Sequence, residues 1–170
     1  MPASPPAPAA HAATHATSTD IVQLLTAEHR EVEAMFQHYH QLAEAGGKGD
    51  ERMLLASQIC VALALHTQVE EEILYPAARE ALTKDEDIVD EAYVEHAGAK
   101  TLIAQLKTMT SDQPLFDAKV KVLGEYIDHH VKEEESEFFP KLRRTSLDLE
   151  AMGEQIAQRK RQLMAMPEPS

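Results

Sequence analysis

Glycine, cysteine and basic side chains are all scarce in this chain, and each shortage excludes something. Six glycines in 170 residues, against plentiful Ala, Leu, Glu and Gln, favour helix over sheet. The single cysteine, Cys60, rules out an internal disulfide and fits a reducing, cytoplasmic compartment. Only 16 Lys and Arg stand against 29 Asp and Glu, for a formal net charge of -13. Phosphate binding needs basic patches, so this balance argues against nucleic acid and against anionic membrane surfaces. No apolar run approaches the roughly 20 residues of a membrane span. No phosphate-cradling glycine loop, nucleotide motif or catalytic nucleophile arrangement is visible. What is present is enough chain for one domain, with 44% hydrophobic residues to build its core.

The organisation follows from the breaks. Residues 1–17, rich in Pro and Ala, lack both a basic start and a continuous apolar stretch, and read as a disordered tail carrying His11 and His15. Residues 18–145 read as the domain. Ser18-Thr19-Asp20 is an N-cap cluster. The helix after it carries Val22, Leu25, His29, Val32, Phe36 and His40 on one stripe, with His38 outward, and ends at Gly46-Gly47-Lys48-Gly49. Asp50 is expected to cap a second helix with Leu55, Ile59, Leu63, His66, Val69, Glu70 and Ile73 inward, kinked or closed by Pro76. Thr83 or Asp85 opens a third, with Val89, Ala92, Tyr93, His96, Ala99 and Ile103 facing in. Ser111-Asp112-Gln113-Pro114 is a turn whose proline suits the first turn of a fourth helix, which presents Phe116, Leu123, Tyr126, Ile127, His130 and Glu134. Residues 146–170 form a further helix, read as a packing or dimer helix, and a tail. The fold class is therefore all-α: an up-down-up-down four-helix bundle with an additional C-terminal helix.

One pattern occurs twice. His66 to Pro76 and His130 to Pro140 both read H-x-x-x-E-E-x-x-apolar-aromatic-P, and each follows a solitary upstream histidine, His29 or His96. The shifts between halves, 64 and 67 residues, mark an internal duplication. Residues i and i+4 share a helix face, so each copy points an imidazole and a carboxylate the same way. His129 competes with His130 through Glu133, but the proline spacing and the Leu123/Ile127 stripe favour His130.

Counting along the helices shows that these residues meet. His29 and His66 each stand about 17 residues from the first turn, roughly 25 Å at 1.5 Å per residue. His96 and His130 stand about 16 residues from the last turn, and Glu70 and His96 about 12 from the middle one. Four histidines and two glutamates thus fall in one layer on stripes already assigned inward. Imidazole suits Fe, Zn and Cu, and bridging carboxylates favour paired oxophilic metals. The expected centre has His29 with His66 on one metal, His96 with His130 on the other, and Glu70 and Glu134 as bridges. Two non-haem irons, joined by these carboxylates and an oxo or hydroxo group, would keep positions open for a small ligand, whereas a structural site would be closed. Tyr93 or Tyr126 is a candidate extra ligand. Glu137 is a candidate partner for a ligand imidazole. Glu71, Glu72, Glu133 and Glu135 read as a solvated face with a secondary role in iron entry, and Cys60 as a buried, inert thiol.

On His29, His96 and the two H-x-x-x-E-E runs, the sequence resembles the hemerythrin-like (HHE cation-binding) family from about Asp20 to Leu142. The resemblance implies a four-helix bundle with a non-haem di-iron centre that binds or reacts with O2, NO or peroxide, in sensing, storage or detoxification. Two departures set it apart from the oxygen carriers. Lys100 stands where they have a fifth histidine, and Glu134 follows its histidine by four residues where they have an aspartate at five. A more symmetric centre of four histidines and two glutamates fits better. A peroxide- or NO-consuming oxidoreductase and an iron store or donor share the same ligands, and a protein partner or homodimer is compatible with either.

Overall fold

The computed structural model describes residues 19–166. The tail read at residues 1–17, with His11 and His15, lies outside them. Helix α1 spans Ile21–Glu44, α2 Gly49–Val69, α3 Tyr75–Ala81, α4 Glu86–Lys107, α5 Phe116–Glu133, α6 Phe139–Leu142 and α7 Leu149–Ala165. Two π-helical turns, Glu70–Leu74 and Glu134–Phe138, join α2 to α3 and α5 to α6 without a break. The rods α1, α2–α3, α4 and α5–α6 form the expected bundle, each packed on its neighbours in the ring, and α7 lies over α1 and α2.

Local chemistry sets the ends. Asp20 caps α1 by accepting from the Gln23 amide at 2.9 Å. Gly46 stops it in the left-handed region at φ +67, where glycine has no Cβ penalty. Three sequence expectations are corrected. Helix α2 begins at Gly49 with Lys48 as its cap, so Asp50 sits in the first turn. Pro114 lies in the turn, and Leu115 enters α5 at φ 72, a strained conformation for leucine. Pro76 does not close its helix, which runs on to Ala81. It occupies the first turn of α3, where the π turn before it absorbs the missing N–H.

The core divides in two. One apolar cluster gathers Ile21, Leu25, Val69, Leu74, Phe138, Leu142 and Ile156, and the other Val32, Phe36, Tyr39, Ile59, Leu63, Leu123 and Ile127. Between them lies a buried polar layer of His29, His66, Glu70, His96, His130 and Glu134. Cys60 is buried, and burial pushes its thiol pKa up, as an inert core thiol requires. The inward tyrosine near the end of α1 is Tyr39, whose hydroxyl donates to Asp117 at 2.5 Å, while His40 is only half-buried beside it.

The continuous stretch Gly49–Ala81, 33 residues with a mean hydropathy of 1.3 in its most apolar window, is long and apolar enough to cross a membrane, contrary to the reading of the sequence. Half of that window is buried inside the bundle.

Helix α7 is held by a close approach that only glycine allows. A Cβ on Gly153 would stand 2.5 Å from the Thr19 carbonyl oxygen and 3.0 Å from the Ile21 amide nitrogen, both backbone atoms. Gly153→Ala is therefore expected to destabilise the docking of α7 by about 1–3 kcal/mol. Hydrogen exchange over α7 reads this directly, and unchanged protection there would contradict it.

Candidate metal centre

Four rods converge on the polar layer. Helix α1 contributes His29, α2 His66, α4 His96 and α5 His130, while Glu70 and Glu134 open the two π turns. The exposure of all six is 5% or less. The imidazoles meet in pairs: His29 and His66 approach through Nε2 at 3.3 Å, His96 and His130 at 3.1 Å. Each glutamate spans the pairs. Glu70 Oε1 is 3.1 Å from His66 Nε2 and its Oε2 is 3.3 Å from His96 Nε2. Glu134 Oε2 is 3.3 Å from His29 Nε2 and its Oε1 is 3.6 Å from His130 Nε2. All six residues named from the sequence are thus brought together, and His129 is left on the surface with Glu95 and Glu133.

Burying two carboxylates demands compensating positive charge. Burial pulls the His66 pKa down, but the Glu70 charge and the Glu28 hydrogen bond outweigh it and lift it to about 10. His130 is lifted to about 9 against the same burial by Glu134 and Glu95. Burial alone would raise the Glu70 pKa, yet His66 and His96 hold it well below the ordinary value. Protons on imidazole therefore balance the carboxylates in the protein alone, and cations between the paired rings would replace them.

Glu70 Oε1 and Glu134 Oε2 are buried and accept no hydrogen bond from the described residues. The nearest imidazoles are close but not aligned to donate. Both oxygens face the His29/His66 pair. A buried carboxylate oxygen with no donor is costly, and a cation there would satisfy both.

Around the layer, every outward ring nitrogen has a carboxylate. His66 Nδ1 donates to Glu28 at 2.7 Å, His130 Nδ1 to Glu95 at 2.7 Å, His29 Nδ1 to Glu135 at 2.8 Å and His96 Nδ1 to Glu71 at 3.0 Å. This turns each Nε2 toward the layer, where a cation would take the place of its proton. The arrangement repeats with the duplication: Glu28 and Glu95 reach to the next helix, and Glu71 and Glu135 do likewise. These four were not recognised in the sequence. Glu71 and Glu135 were assigned to a solvated face, and the signal for Glu28 and Glu95 is the Glu-His dipeptide that opens both halves. Glu137 is not a partner of any imidazole, because it is exposed and pairs with Lys141 at 2.9 Å.

The tyrosine at the layer is Tyr75. Its hydroxyl is 3.0 Å from His96 Nε2 and donates to Glu134 Oε1 at 3.2 Å. Burial and the charges of Glu70 and Glu134 push its pKa well above the usual value. Tyr93 packs edge-on against Tyr75 instead of entering the layer, and Tyr126 is half-exposed. In the second half the place of Tyr75 is taken by Phe139, which stacks on His29 with ring centroids 5.8 Å apart. The two ends of the layer are therefore chemically unequal.

Space for a ligand lies on the opposite side. A cavity of about 10 Å³, room for one water-sized molecule, is bounded by His29, His66 and His130 with Val32, Leu63, Ile127 and Val131. A groove of about 460 Å³ between α1 and α5 reaches His29 and Glu135 from outside.

Fold and donors together define a helical bundle with a buried histidine–carboxylate layer suited to cations. The family model described as the hemerythrin HHE cation binding domain matches residues 20–142, and the chain belongs to that family. A hemerythrin HHE cation binding domain-containing protein from Mycobacterium kansasii shares the fold, with a TM-score of 0.67 at 20% identity over 84% of this chain and 86% of that one. A DNA nickase from Nostoc sp. is 34% identical over 86 residues, 51% of this chain and 24% of that protein, so the chain spans about a quarter of its relative's length.

Proposed function

We propose that this protein holds two non-haem irons in the polar layer and binds or reacts with O2, NO or peroxide. The observation that carries the reading is the pair of glutamates, each placing one oxygen against each histidine pair and each keeping one buried oxygen without a donor. His29 and His66 would hold one iron, His96 and His130 the other, with Glu70 and Glu134 across both. Paired irons supply one- and two-electron chemistry toward small oxygen and nitrogen species. The chain's own part is to orient the imidazoles through the four outer glutamates, to exclude bulk water, and to place the Tyr75 hydroxyl as a hydrogen-bond donor or a further oxygen ligand at the His96/His130 end. The 10 Å³ cavity beside three of the histidines has room only for a small ligand about the size of water. The deep burial of the layer makes an iron store or donor the weaker alternative. The nickase activity of the Nostoc relative is not carried over, given the small share of that protein matched and the acidic surface of this chain.

The test is anaerobic purification, reconstitution with Fe(II), and metal content per chain, followed by visible absorption as air is admitted. Two irons per chain with an oxo-bridge charge-transfer band support the reading. Reversal on deoxygenation then identifies a binder, and decay with peroxide consumption an enzyme. Failure to take up iron, or uptake indifferent to His66→Ala, overturns it.

Tyr75→Phe is expected to keep both irons and alter the absorption of one, since Phe139 already stands at the equivalent place in the other half. Iron analysis with visible spectroscopy reads both, and a spectrum identical to wild type would remove Tyr75 from the centre.

A further inference from the structure

Helix α7 lies beyond the matched residues 20–142, yet it reaches the metal layer. It runs alongside α1 in the same direction. Gly153 rests on the backbone at Thr19 and Ile21, and Lys160, two turns on, falls level with Glu28. The Lys160 ammonium donates to Glu28 Oε1, and Glu28 Oε2 accepts from His66 Nδ1 at 2.7 Å. The lysine and glutamate side chains are only 16% and 21% exposed, so their interaction is less screened than a surface pair. The chain Lys160–Glu28–His66 thus ends on an imidazole whose Nε2 faces the layer. Among the described residues the duplicated half has no lysine at the corresponding place, and the other two relayed cations, Arg30 on Glu135 and Lys100 on Glu71, fall one to each histidine pair. In the duplicated half Glu95, the counterpart of Glu28, pairs on its outer oxygen with His129 at 3.3 Å, and no Lys or Arg among the described residues pairs with it. The repeat therefore does not supply the cation at Glu28, and the added helix does.

Resting on the di-iron reading above, we propose that Lys160 is a positioning residue of the metal centre, acting through Glu28 on His66 to raise the reduction potential of the iron held by His29 and His66 relative to its neighbour. The direction follows from charge. A cation on Glu28 weakens its pull on the Nδ1 proton, so His66 is a poorer electron donor and the ferrous state is favoured. Removing the cation makes Glu28 a stronger base and also deletes a nearby positive charge, and both effects favour the ferric state.

The experiment is a redox titration of the iron-loaded full-length chain, with the two irons resolved by Mössbauer spectroscopy. In wild type the iron held by His29 and His66 is expected to be reduced ahead of the other. Lys160→Met is expected to shift the ferric/ferrous ratio of that iron about tenfold toward ferric at a given potential, about 59 mV for a one-electron couple, leaving the other iron unmoved. Lys160→Arg is expected to restore the wild-type order. Arg159→Gln, which breaks the pair with Glu72 at 2.6 Å and removes a neighbouring charge of α7 without touching Lys160, is expected to leave both irons where they were. Identical titrations for Lys160→Met and wild type, an equal shift of both irons, or the same shift in Arg159→Gln would each overturn the proposal. Should Lys160→Met fail to fold, Glu28→Gln replaces it: the weaker acceptor leaves His66 a poorer donor, so the same iron shifts the opposite way, toward ferrous, and its failure to move sinks the idea. A wild-type chain that takes up no iron pair overturns the di-iron reading instead.

Discussion

Glu70→Ala is expected to empty both metal positions, not one. Its two oxygens face different histidine pairs at 3.1 and 3.3 Å, so each metal would lose a ligand together with the charge that draws it in. Loss of an outer partner typically weakens metal binding roughly 10–100-fold, and loss of a shared ligand should exceed about 100-fold at both positions. His29→Ala removes one ligand from one metal, and should release that metal first. Glu70→Gln keeps the volume and one neutral oxygen, which separates the role of the charge from packing. Without metal, Glu70→Ala leaves protonated imidazole unbalanced in a buried layer, a change that costs about 3–5 kcal/mol in comparable sites. Iron content after gel filtration, with a competing chelator, measures the first effect and thermal unfolding of chelator-treated protein the second. Retention of one iron at full strength in Glu70→Ala would show that the glutamate does not bridge.

Protein stripped of metal should lose stability as the medium becomes alkaline. His66 and His130 have folded pKa values of about 10 and about 9 against an unfolded value of 6.5. A histidine raised on folding contributes stability that is fully present below its unfolded pKa and disappears as pH climbs through the folded one. Their contribution therefore fades between about pH 6.5 and 10. Glu70 has the opposite sign. Its pKa is depressed, so its contribution is present above 4.5 and is lost as pH falls through the lower folded value. The stripped protein should be most stable between about pH 4.5 and 6.5, with its melting temperature falling by about 10 °C by pH 10. Coordination replaces those protons, so metal uptake should release protons and tighten from pH 6 to 9, and the loaded protein should resist alkali. Melting curves of stripped and loaded protein across this range decide the matter. A stripped protein equally stable at pH 6 and 10 would mean that the imidazoles are not charged by their glutamates.

Most of the architecture was legible because helical rods carry it. The Asp20 cap, the Gly46 turn and the inward stripes come from local propensity, and equal counts on either side of each loop placed six donors in one layer. What escaped has two physical sources. The stripe was continued at 3.6 residues per turn past Glu70, which put Ile73 inside. The π turn adds a residue, so Leu74 and Tyr75 are buried and Ile73 is only half-buried. The outer glutamates escaped for a different reason. Glu28 and Glu95 serve histidines on a neighbouring helix, and spacing within one helix says nothing about where a long side chain reaches across to the next.

Each π turn amounts to one residue inserted into an α-helix. The insertion stands at the same place in both halves, directly after the shared carboxylate, with the Tyr75 amide bonded back to the Glu70 carbonyl and the Phe139 amide to that of Glu134. A feature so placed in both copies makes the two hairpins equivalent in how they hand their carboxylate to the layer. The ring that follows breaks that equivalence, tyrosine in one copy and phenylalanine in the other, and gives the layer a distinguishable left and right.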